Sequence, residues 1–332
     1  MFQSHKKWIL SVVVLGLAVF FVTKLNRIDS HVREISTASN HFNPSNVMCV
    51  LDPNPKYDIQ MSPDLISFVN VITQQPFKWL ARGFQAYAFE SQDGEYVVKF
   101  IQQHRLRDRA FSEHPIEYIF SKSYREKMAF NKEHRNEIFD SSKISFEDIP
   151  EETGMLFIHL NKTEGLLHGI RLVDCLGTAY KVKPDGACFL IQRKAKYILP
   201  TITELMRNGD IEGAKARVNQ VIDLLVSLAR KGVVDSDYAL IRNNNIGFVK
   251  DRAVYIDTGH ISKHTDLDAK KQMEYEFKRR LKPLCDWLHV KYPELAMHYE
   301  AHRGEVMLAL TREQEALHAS TALNEKKEAA AQ

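Results

Sequence analysis

Three polar residues, each next to an apolar stretch, have types and spacing that suit phosphoryl-transfer chemistry. Lys99 ends the short apolar run that begins at Val97, and Asp237 follows the helix-like segment Ile211–Lys231. Asp257 opens an Asp-Thr-Gly triplet about twenty residues later. Such a set can supply a cation for nucleotide phosphates, a base for an acceptor hydroxyl and a carboxylate for Mg²⁺. These residues are therefore candidates for a phosphoryl-transfer site.

The segment before the lysine reads as strand, tight turn and strand. Leu80–Phe89 carries small residues, among them Gly83 and Ala86, where a backbone can approach phosphate. Asp93-Gly94 is typical of a hairpin turn, so Tyr96–Ile101 is predicted to be the third strand. Taken alone, this pattern also describes an ordinary β-meander with a surface lysine, because glycine-poor loops seldom bind phosphate.

A helix and a hairpin are expected to position the carboxylates. Ile211–Lys231 has apolar residues at helical spacing, and Gly232 is placed to end that helix in a left-handed conformation. Ile246–Val249 and Ala253–Ile256 read as hairpin strands, with Asp257 directly after the second. Carboxylates at a strand end beside an amide cluster indicate a magnesium-type oxygen site rather than a zinc site. The alternative is a loop whose Asp and Asn side chains only make turns.

Together, these motifs resemble the protein-kinase-like fold, in its atypical bacterial or small-molecule-kinase form. Leu80–Ala88 is similar to a degenerate glycine-rich loop, with Ala81 and Ala86 at the first and third glycine positions. Val97–Lys99 resembles the end of that family's third strand. The resemblance covers roughly residues 75–299, and the order of the motifs agrees better than any single motif.

The resemblance implies ATP and Mg²⁺ as cofactors and assigns roles to individual residues. Lys99 would contact the phosphates beneath Gly83 and Ala86, and the hinge that begins at Gln192 would hydrogen-bond adenine through its backbone. The other implied roles are Asp237 as the catalytic residue that receives or orients the acceptor hydroxyl, Asn245 and Asp257 as metal ligands, and Asp235 at the place of the usual histidine.

Departures from the family leave alternatives open. The interval from Asp237 to Asn245 is three residues longer than usual, so Asn243 or Asn244 could hold the metal instead. No Ala-Pro-Glu motif follows the Asp-Thr-Gly triplet, and the charged helical stretch Asp266–Arg280 begins almost at once. This argues against a conventional serine/threonine kinase. An atypical kinase, a small-molecule kinase and a pseudokinase remain.

The glutamate that would pair with the lysine is also open. Ser121–Asp140 has a charged helical pattern, and Ser141–Ile149 follows with a second one. Glu137 and Glu147 compete, and Glu147 is preferred because it lies closer to the strand candidate Met155–Leu160. Either glutamate could equally be a surface charge.

The expected fold class is α+β, with a small antiparallel-sheet lobe joined to a mostly helical lobe. Further strands are expected at Met155–Leu160, Ile170–Asp174 and Ala187–Ile191. The expected organisation is a membrane anchor at 1–28, a linker at 29–61, a sheet lobe at 62–195, a helical lobe at 196–310 and a tail at 311–332.

The N-terminal part carries an unbroken apolar run, Trp8–Val22, which predicts a single-pass membrane helix. Lys6, Lys7, Lys24 and Arg27 flank it on both sides, so its orientation is undecided. A cleaved signal peptide is the main alternative, but no small-residue cleavage site follows the run directly. A soluble buried helix is a third interpretation.

Composition excludes several other function classes. The chain has 332 residues, 44% of them hydrophobic, and a net charge of only +3, which argues against nucleic-acid binding. Basic runs such as Lys278–Arg280 and Arg105–Arg107 are expected to be solvated faces. The cysteines are scattered and predict neither a zinc site nor a disulfide framework: Cys49, Cys175, Cys188 and Cys285. Cys188 is expected to be a small buried hydrophobe.

These observations predict a membrane-anchored atypical kinase. It would transfer the γ-phosphoryl group of ATP to a hydroxyl acceptor, either a protein or a small molecule. The alternative is a catalytically impaired pseudokinase that keeps the fold as a binding scaffold. The alanines in the glycine-rich-like loop are the cue for that alternative.

Overall fold

The computed structural model describes residues 42–49, 53–103, 121–237, 240–241 and 244–331. Residues 43–332 form one compact unit, and the following description concerns that unit. Among the described helices, none is long and apolar enough to cross a membrane. The predicted anchor at 1–28 lies outside the described residues.

The first lobe is built on a mixed seven-stranded sheet. Its strands are β1 (Phe77–Arg82), β2 (Ala86–Ser91), β3 (Tyr96–Ile101), β4 (Met155–His159), β5 (Ile170–Val173), β6 (Ala179–Val182) and β7 (Phe189–Arg193). They are arranged in the order β4-β7-β3-β2-β1-β5-β6. All neighbouring pairs are antiparallel except β1 and β5, which run parallel. The expected antiparallel sheet thus contains one parallel junction. It lies where the β5–β6 hairpin pairs with the outer edge of β1.

Local sequence explains the central strands. In β2, every second side chain is buried, among them Tyr87 and Phe89, which is the alternation of a half-buried strand. Gly94 turns the chain into β3 with φ of +74°, and the Ser91 and Asp93 side chains hydrogen-bond each other in that turn. The predicted hairpin and third strand are confirmed.

A single long helix packs beside this sheet. It is α2 (Lys122–Glu147), preceded in the chain by α1 (Pro63–Ile72) and followed by the short α3 (Pro150–Thr153). The two helical patterns expected across 121–149 are therefore one continuous helix. Buried Ile138 and Phe139 of α2 share a hydrophobic cluster with residues of β3, β4 and β7.

The second lobe is mainly helical. Its helices are α4 (Ile198–Arg207), α5 (Ile211–Arg230), α6 (Ala269–Tyr275), a π-helical turn (Glu276–Arg280), α7 (Lys282–Lys291) and α8 (Pro293–Ala331). Helix α5 begins at Asp210, whose side chain accepts the N–H of Gly213. Nine of its residues are buried, and they supply much of the core of this lobe. The helix predicted here from apolar spacing is confirmed.

Two small sheets contain the remaining strands, β8 to β12. Strand β10 (Ile246–Val249) pairs with β11 (Arg252–Tyr255) and with β8 (Lys196–Tyr197). Strand β9 (Val233–Asp235) pairs with β12 (Ile261–Lys263). The hairpin predicted before Asp257 is confirmed, and both small sheets end beside the same cavity.

Part of the predicted linker is packed on the sheet lobe. Short 3₁₀ turns occur at Pro44–Asn46 and Pro55–Tyr57, and the side chains of Val47 and Tyr57 are buried. Cys49 forms a disulfide with Cys188, with 5.8 Å between their Cα atoms. The cysteine spacing did not indicate this disulfide, because its two cysteines have a sequence separation of 139 and only the folded chain brings them together.

Gly232 is the residue through which α5 turns into β9. Its φ is +71°, and a Cβ atom there would lie 2.3 Å from the carbonyl oxygen of His264. Gly209 has a similar φ of +76°, but no atom lies within 4 Å of the position of its Cβ. The two glycines share the backbone conformation and differ in the available space.

We expect Gly209→Ala to lower the free energy of unfolding by about 1–2 kcal/mol, the cost of a left-handed alanine. Gly232→Ala should lose a further ~1–3 kcal/mol, because its Cβ displaces the backbone of the β9–β12 pair. Urea denaturation of the two variants measures the difference. Equal losses would show that the approach of His264 does not constrain this turn.

Candidate functional site

A cavity of about 830 Å³ lies among residues of the sheet lobe, the helical lobe and the small sheets. Its size is typical of a site for a nucleotide-sized ligand. It is lined by seven of the eight residues predicted from sequence, namely Gly83, Ala86, Lys99, Gln192, Asp237, Asn245 and Asp257. The exception is Glu147.

Lys99 projects from the middle of β3, where its cross-strand neighbours are Ala88 and Leu190. Its Nζ donates a hydrogen bond to the carbonyl oxygen of Ile256. Burial lowers the pKa of Lys99, and the nearby charge of Asp257 partly offsets this effect. The ammonium group of Lys99 therefore lies beside Ile256, the residue before the candidate metal ligand Asp257.

Asp257 lies two residues after the last residue of β11. The N–H of Ile256 donates to the carbonyl of Asn245 at 2.7 Å, and Asp257 Oδ1 accepts the N–H of Gly259 at 3.2 Å. Among the described residues, nothing donates a hydrogen bond to the second carboxylate oxygen, Oδ2. One oxygen thus orients the carboxylate and the other remains for a cation.

Asp237 and Asn245 are held against each other. The Nδ2 of Asn245 donates to Asp237 Oδ2 at 2.7 Å, and the N–H of Asp237 donates to Asp235 Oδ1 at 3.0 Å. Because the side-chain nitrogen of Asn245 donates to Asp237, its side-chain oxygen Oδ1 is the atom that can bind a cation. Asn244 also lines the cavity, with φ of +55°, and Asn243 lies outside the described residues.

This donor set fits Mg²⁺. The described residues contain no group of three or more His, Cys, Asp or Glu side chains arranged for a metal ion. The cavity instead places the carboxylate of Asp257 and the amide oxygen of Asn245 along its wall. Magnesium is commonly held by one or two protein oxygens and completes its shell with water and substrate phosphates.

A buried charge network lies behind Asp235, and sequence reasoning missed it. Arg280 Nη2 donates to Asp235 Oδ2 at 2.6 Å and to Tyr255 Oη at 2.9 Å, while Nη1 donates to Glu276 Oε1 at 2.9 Å. Burial raises the pKa of Asp235 to about 6, although the charge of Arg280 opposes this. The expectation that Lys278–Arg280 is wholly solvated is wrong, because Arg280 is only 2% exposed.

The structure does not bring Glu147 to Lys99. Glu147 is largely exposed at the end of α2 and pairs with Lys143 at 3.6 Å. Glu137 lies ten residues earlier, about 15 Å along the helix axis, and contacts His260 beside the cavity. The structure therefore does not support the preference for Glu147, which rested on its closeness in sequence to the strand candidate Met155–Leu160.

An apolar slot in the same cavity suits an adenine ring. It is lined by Leu80, Ala88, Val97, Leu190 and Val254. The side chain of Gln192 donates to the carbonyls of Thr153 and Tyr255, at 2.9 and 3.4 Å. Gln192 lies within β7, whose backbone pairs with β3 on one side and with β4 on the other. It therefore contributes to the slot through its side chain and these two hydrogen bonds. The chain from Lys194 to Tyr197 forms the adjoining rim.

No family model and no curated protein matches this chain. Among solved structures, the bifunctional kinase-methyltransferase WbdD matches with 13% identity and a TM-score of 0.30, covering 69% of this chain and 47% of that one. The chain thus spans less than half the length of WbdD.

Two further solved structures cover more of their own chains. The Rio2 kinase from Chaetomium thermophilum, in an ADP/Mg²⁺-phosphoaspartate complex, matches with 12% identity and a TM-score of 0.31 over 86% of this chain and 85% of that one. WaaP in complex with acyl carrier protein matches with 11% identity and a TM-score of 0.29, over 75% and 98%.

The chain has a two-lobed α+β fold. A sheet lobe precedes a helical lobe, and the lysine of β3 and the aspartate after β11 line one cavity. This is the α+β arrangement expected from the sequence motifs.

Arg280 offers a direct test of how the site is supported. We expect Arg280→Met to lower the free energy of unfolding by about 3–5 kcal/mol, because it leaves Asp235 and Glu276 buried without their cation. Lys282→Met is the matched control, since Lys282 pairs with Asp286 at the exposed surface. That variant should lose less than about 1 kcal/mol. Similar losses in the two variants, measured by urea denaturation, would contradict the assigned network.

Proposed function

We propose that this protein is an ATP-dependent phosphotransferase whose acceptor carries a hydroxyl group. The observation that carries the proposal is the convergence of Lys99, Asp237, Asn245 and Asp257 in one cavity. Lys99 reaches the Asp257 segment across a sequence separation of 157 residues, through its hydrogen bond to Ile256. These residue types supply the cation, base and metal ligands that phosphoryl transfer uses.

Each residue has a role that follows from its contacts. The purine occupies the apolar slot, and Lys99 binds the phosphates. Asp257 and the side-chain oxygen of Asn245 would hold Mg²⁺, which when bound neutralises charge on the transferred phosphoryl group. Asp237, oriented by Asn245, takes the proton of the acceptor hydroxyl. The acceptor oxygen bonds to the γ-phosphorus as the bond to the bridging oxygen breaks, and ADP leaves.

A pseudokinase scaffold is the second candidate. The loop between β1 and β2 contains one glycine, Gly83, whose N–H donates to the carbonyl of Ala86 at 2.9 Å. Ala81 and Ala86 stand where flexible glycines would cover the phosphates in the family that the chain resembles. A stiffer loop of this kind favours the hypothesis that the protein binds a nucleotide without turning it over.

Substitutions in the cavity separate the two candidates. We expect Asp237→Asn to reduce kcat for ATP turnover by about 10²–10⁴-fold while the Kd for Mg-ATP changes little, since only proton transfer is lost. Asp257→Ala should abolish the Mg²⁺ dependence of ATP binding, measured by calorimetry. Asp251→Asn is the control, because Asp251 lies on the exposed β10–β11 turn and pairs with Arg217.

The outcomes divide cleanly. Wild-type protein that binds Mg-ATP but shows no turnover with any hydroxyl acceptor tried would favour the scaffold. Wild-type protein that binds no ATP, with or without Mg²⁺, would overturn both candidates. Equal kcat in Asp237→Asn and in the wild type would remove Asp237 from the proposed mechanism.

We also propose that Trp8–Val22 anchors the protein in a membrane, with the kinase-like domain on the oxidising side. The supporting observation is the Cys49–Cys188 disulfide, in which both cysteines are buried. Disulfides persist in oxidising compartments and are rare in the reducing cytosol. The compartment that holds the domain must then also supply ATP.

Thiol accessibility tests this location. Native membranes are treated with N-ethylmaleimide before denaturation, and the protein is analysed by mass spectrometry. We expect no label on Cys49 and Cys188 until a reductant is added, whereas the thiols of Cys175 and Cys285, which lie outside that disulfide, take label in the unreduced, denatured chain. Labelling of all four cysteines without reductant would place the domain in a reducing compartment. Release of the protein from membranes by carbonate would contradict the anchor.

A further inference from the structure

Helix α2 is attached to the segment that follows Asp257, and none of its described side chains forms an ion pair with Lys99. Glu137 Oε1 and His260 Nδ1 lie 3.0 Å apart, while Lys99 donates to the carbonyl of Ile256. In the family that the chain resembles, a helix glutamate is expected to pair with the strand lysine. Here the helix instead contacts the chain three residues beyond the candidate metal ligand.

A second contact lies one helical turn further along the same face. Ser141 is fully buried, its Oγ accepts the N–H of Ile261 at 2.8 Å, and the hydroxyl donates to the carbonyl of Thr258. Residues four apart on a helix share a face. Ser141 therefore binds both ends of the stretch Thr258–Ile261, and Glu137 binds His260 between them.

The loop over the phosphate end of the cavity meets the same histidine. Gln85 Nε2 lies 3.1 Å from His260 Nε2. The Gln85 side chain also occupies the space beside Gly259, where a Cβ atom would lie within 2.6 Å of the Gln85 amide group. His260 is thus the point at which the loop, helix α2 and the candidate metal segment come together.

The hydrogen bonds and charges within this cluster favour the ionised forms of Glu137 and His260. Burial alone would lower the pKa of His260, but the hydrogen bond to Glu137 and its negative charge raise the pKa above its ordinary value. Burial alone would raise the pKa of Glu137, and the hydrogen bonds to His260 and His134 lower it. His134 Nδ1 lies 3.3 Å from Glu137 Oε2, so one carboxylate contacts two imidazole rings.

We propose that Glu137 and His260 are positioning residues for the phosphoryl-transfer site, an inference that depends on the function proposed above. The pair holds the main chain after Asp257 so that its carboxylate faces the metal, and it holds Gln85 over the phosphates. The two side chains are partly exposed, at 41% and 33%, so their contribution to stability is small. Their contribution to geometry is the larger effect, because a displacement of about 1 Å can cost about 10²-fold in rate.

The experiment uses the full-length chain and four variants: Glu137→Gln, His260→Ala, the reciprocal double variant Glu137→His with His260→Glu, and Glu147→Gln. The last is the matched control, because Glu147 is a partly exposed glutamate of the same helix that pairs with Lys143 outside the cavity. Measurements are kcat with Mg-ATP, the Kd for ATP with and without Mg²⁺, and the Tm.

We expect Glu137→Gln and His260→Ala to lower kcat by about 10–100-fold. The Kd for ATP without Mg²⁺ should stay unchanged, and the gain in affinity that Mg²⁺ provides should shrink. The reciprocal variant should recover at least part of the lost kcat, since it restores an imidazole–carboxylate pair in the same place. Glu147→Gln should match the wild type in every measurement, and all four variants should keep a Tm near that of the wild type.

Separate results distinguish the two levels of the proposal. If the wild type binds and turns over Mg-ATP and Glu137→Gln behaves as Glu147→Gln does, the positioning role is overturned and the proposed function stands. Impaired single variants with no recovery in the reciprocal variant would also overturn the role of the pair. If the wild type shows no binding of Mg-ATP, the proposed function fails and the positioning role fails with it.

Discussion

The buried ion pair between Arg280 and Asp235 is the interaction on which the arrangement of the site depends. Asp235 ends β9, and its carboxylate accepts the N–H of Asp237, so it places the residue assigned as the base. Arg280 comes from the π-helical turn after α6 and also donates to Glu276 and Tyr255. Charges buried this deeply are tolerated only when they are paired and hydrogen-bonded. Helical packing and the geometry of the candidate site are therefore coupled through one guanidinium group.

Contacts from the sheet lobe converge on the residues just before Asp257, at the end of β11. From the sheet lobe, Lys99 donates to the carbonyl of Ile256, and Gln192 donates to the carbonyl of Tyr255. Because both donors address main-chain carbonyls of consecutive residues, they set the position of the backbone directly before the carboxylate. The segment after it is held from helix α2. Asp257 is thus fixed from both sides, although its own side chain makes few protein contacts.

The fold was predictable where local patterns decide it. Tyr96–Ile101, Ile211–Lys231 and the β10–β11 hairpin follow from alternation, helical spacing and turn residues, which act over a few positions. The parallel junction of β1 with β5 did not follow, nor did the Cys49–Cys188 disulfide across 139 residues. Such contacts bring together distant segments, and no local propensity records them.

The sequence by itself determined the chemistry available to the site, because the types and order of Lys99, Asp237 and Asp257 already indicate phosphoryl transfer. Only the tertiary structure decided which charges support them. It placed Glu137 against His260 at the cavity and Glu147 about 15 Å further along the axis, since ten residues of an unbroken helix span that distance. It also buried Arg280 within a basic run whose local pattern is that of a solvated face. Burial and pairing of charges depend on what packs against a side chain, and that is a property of the whole fold.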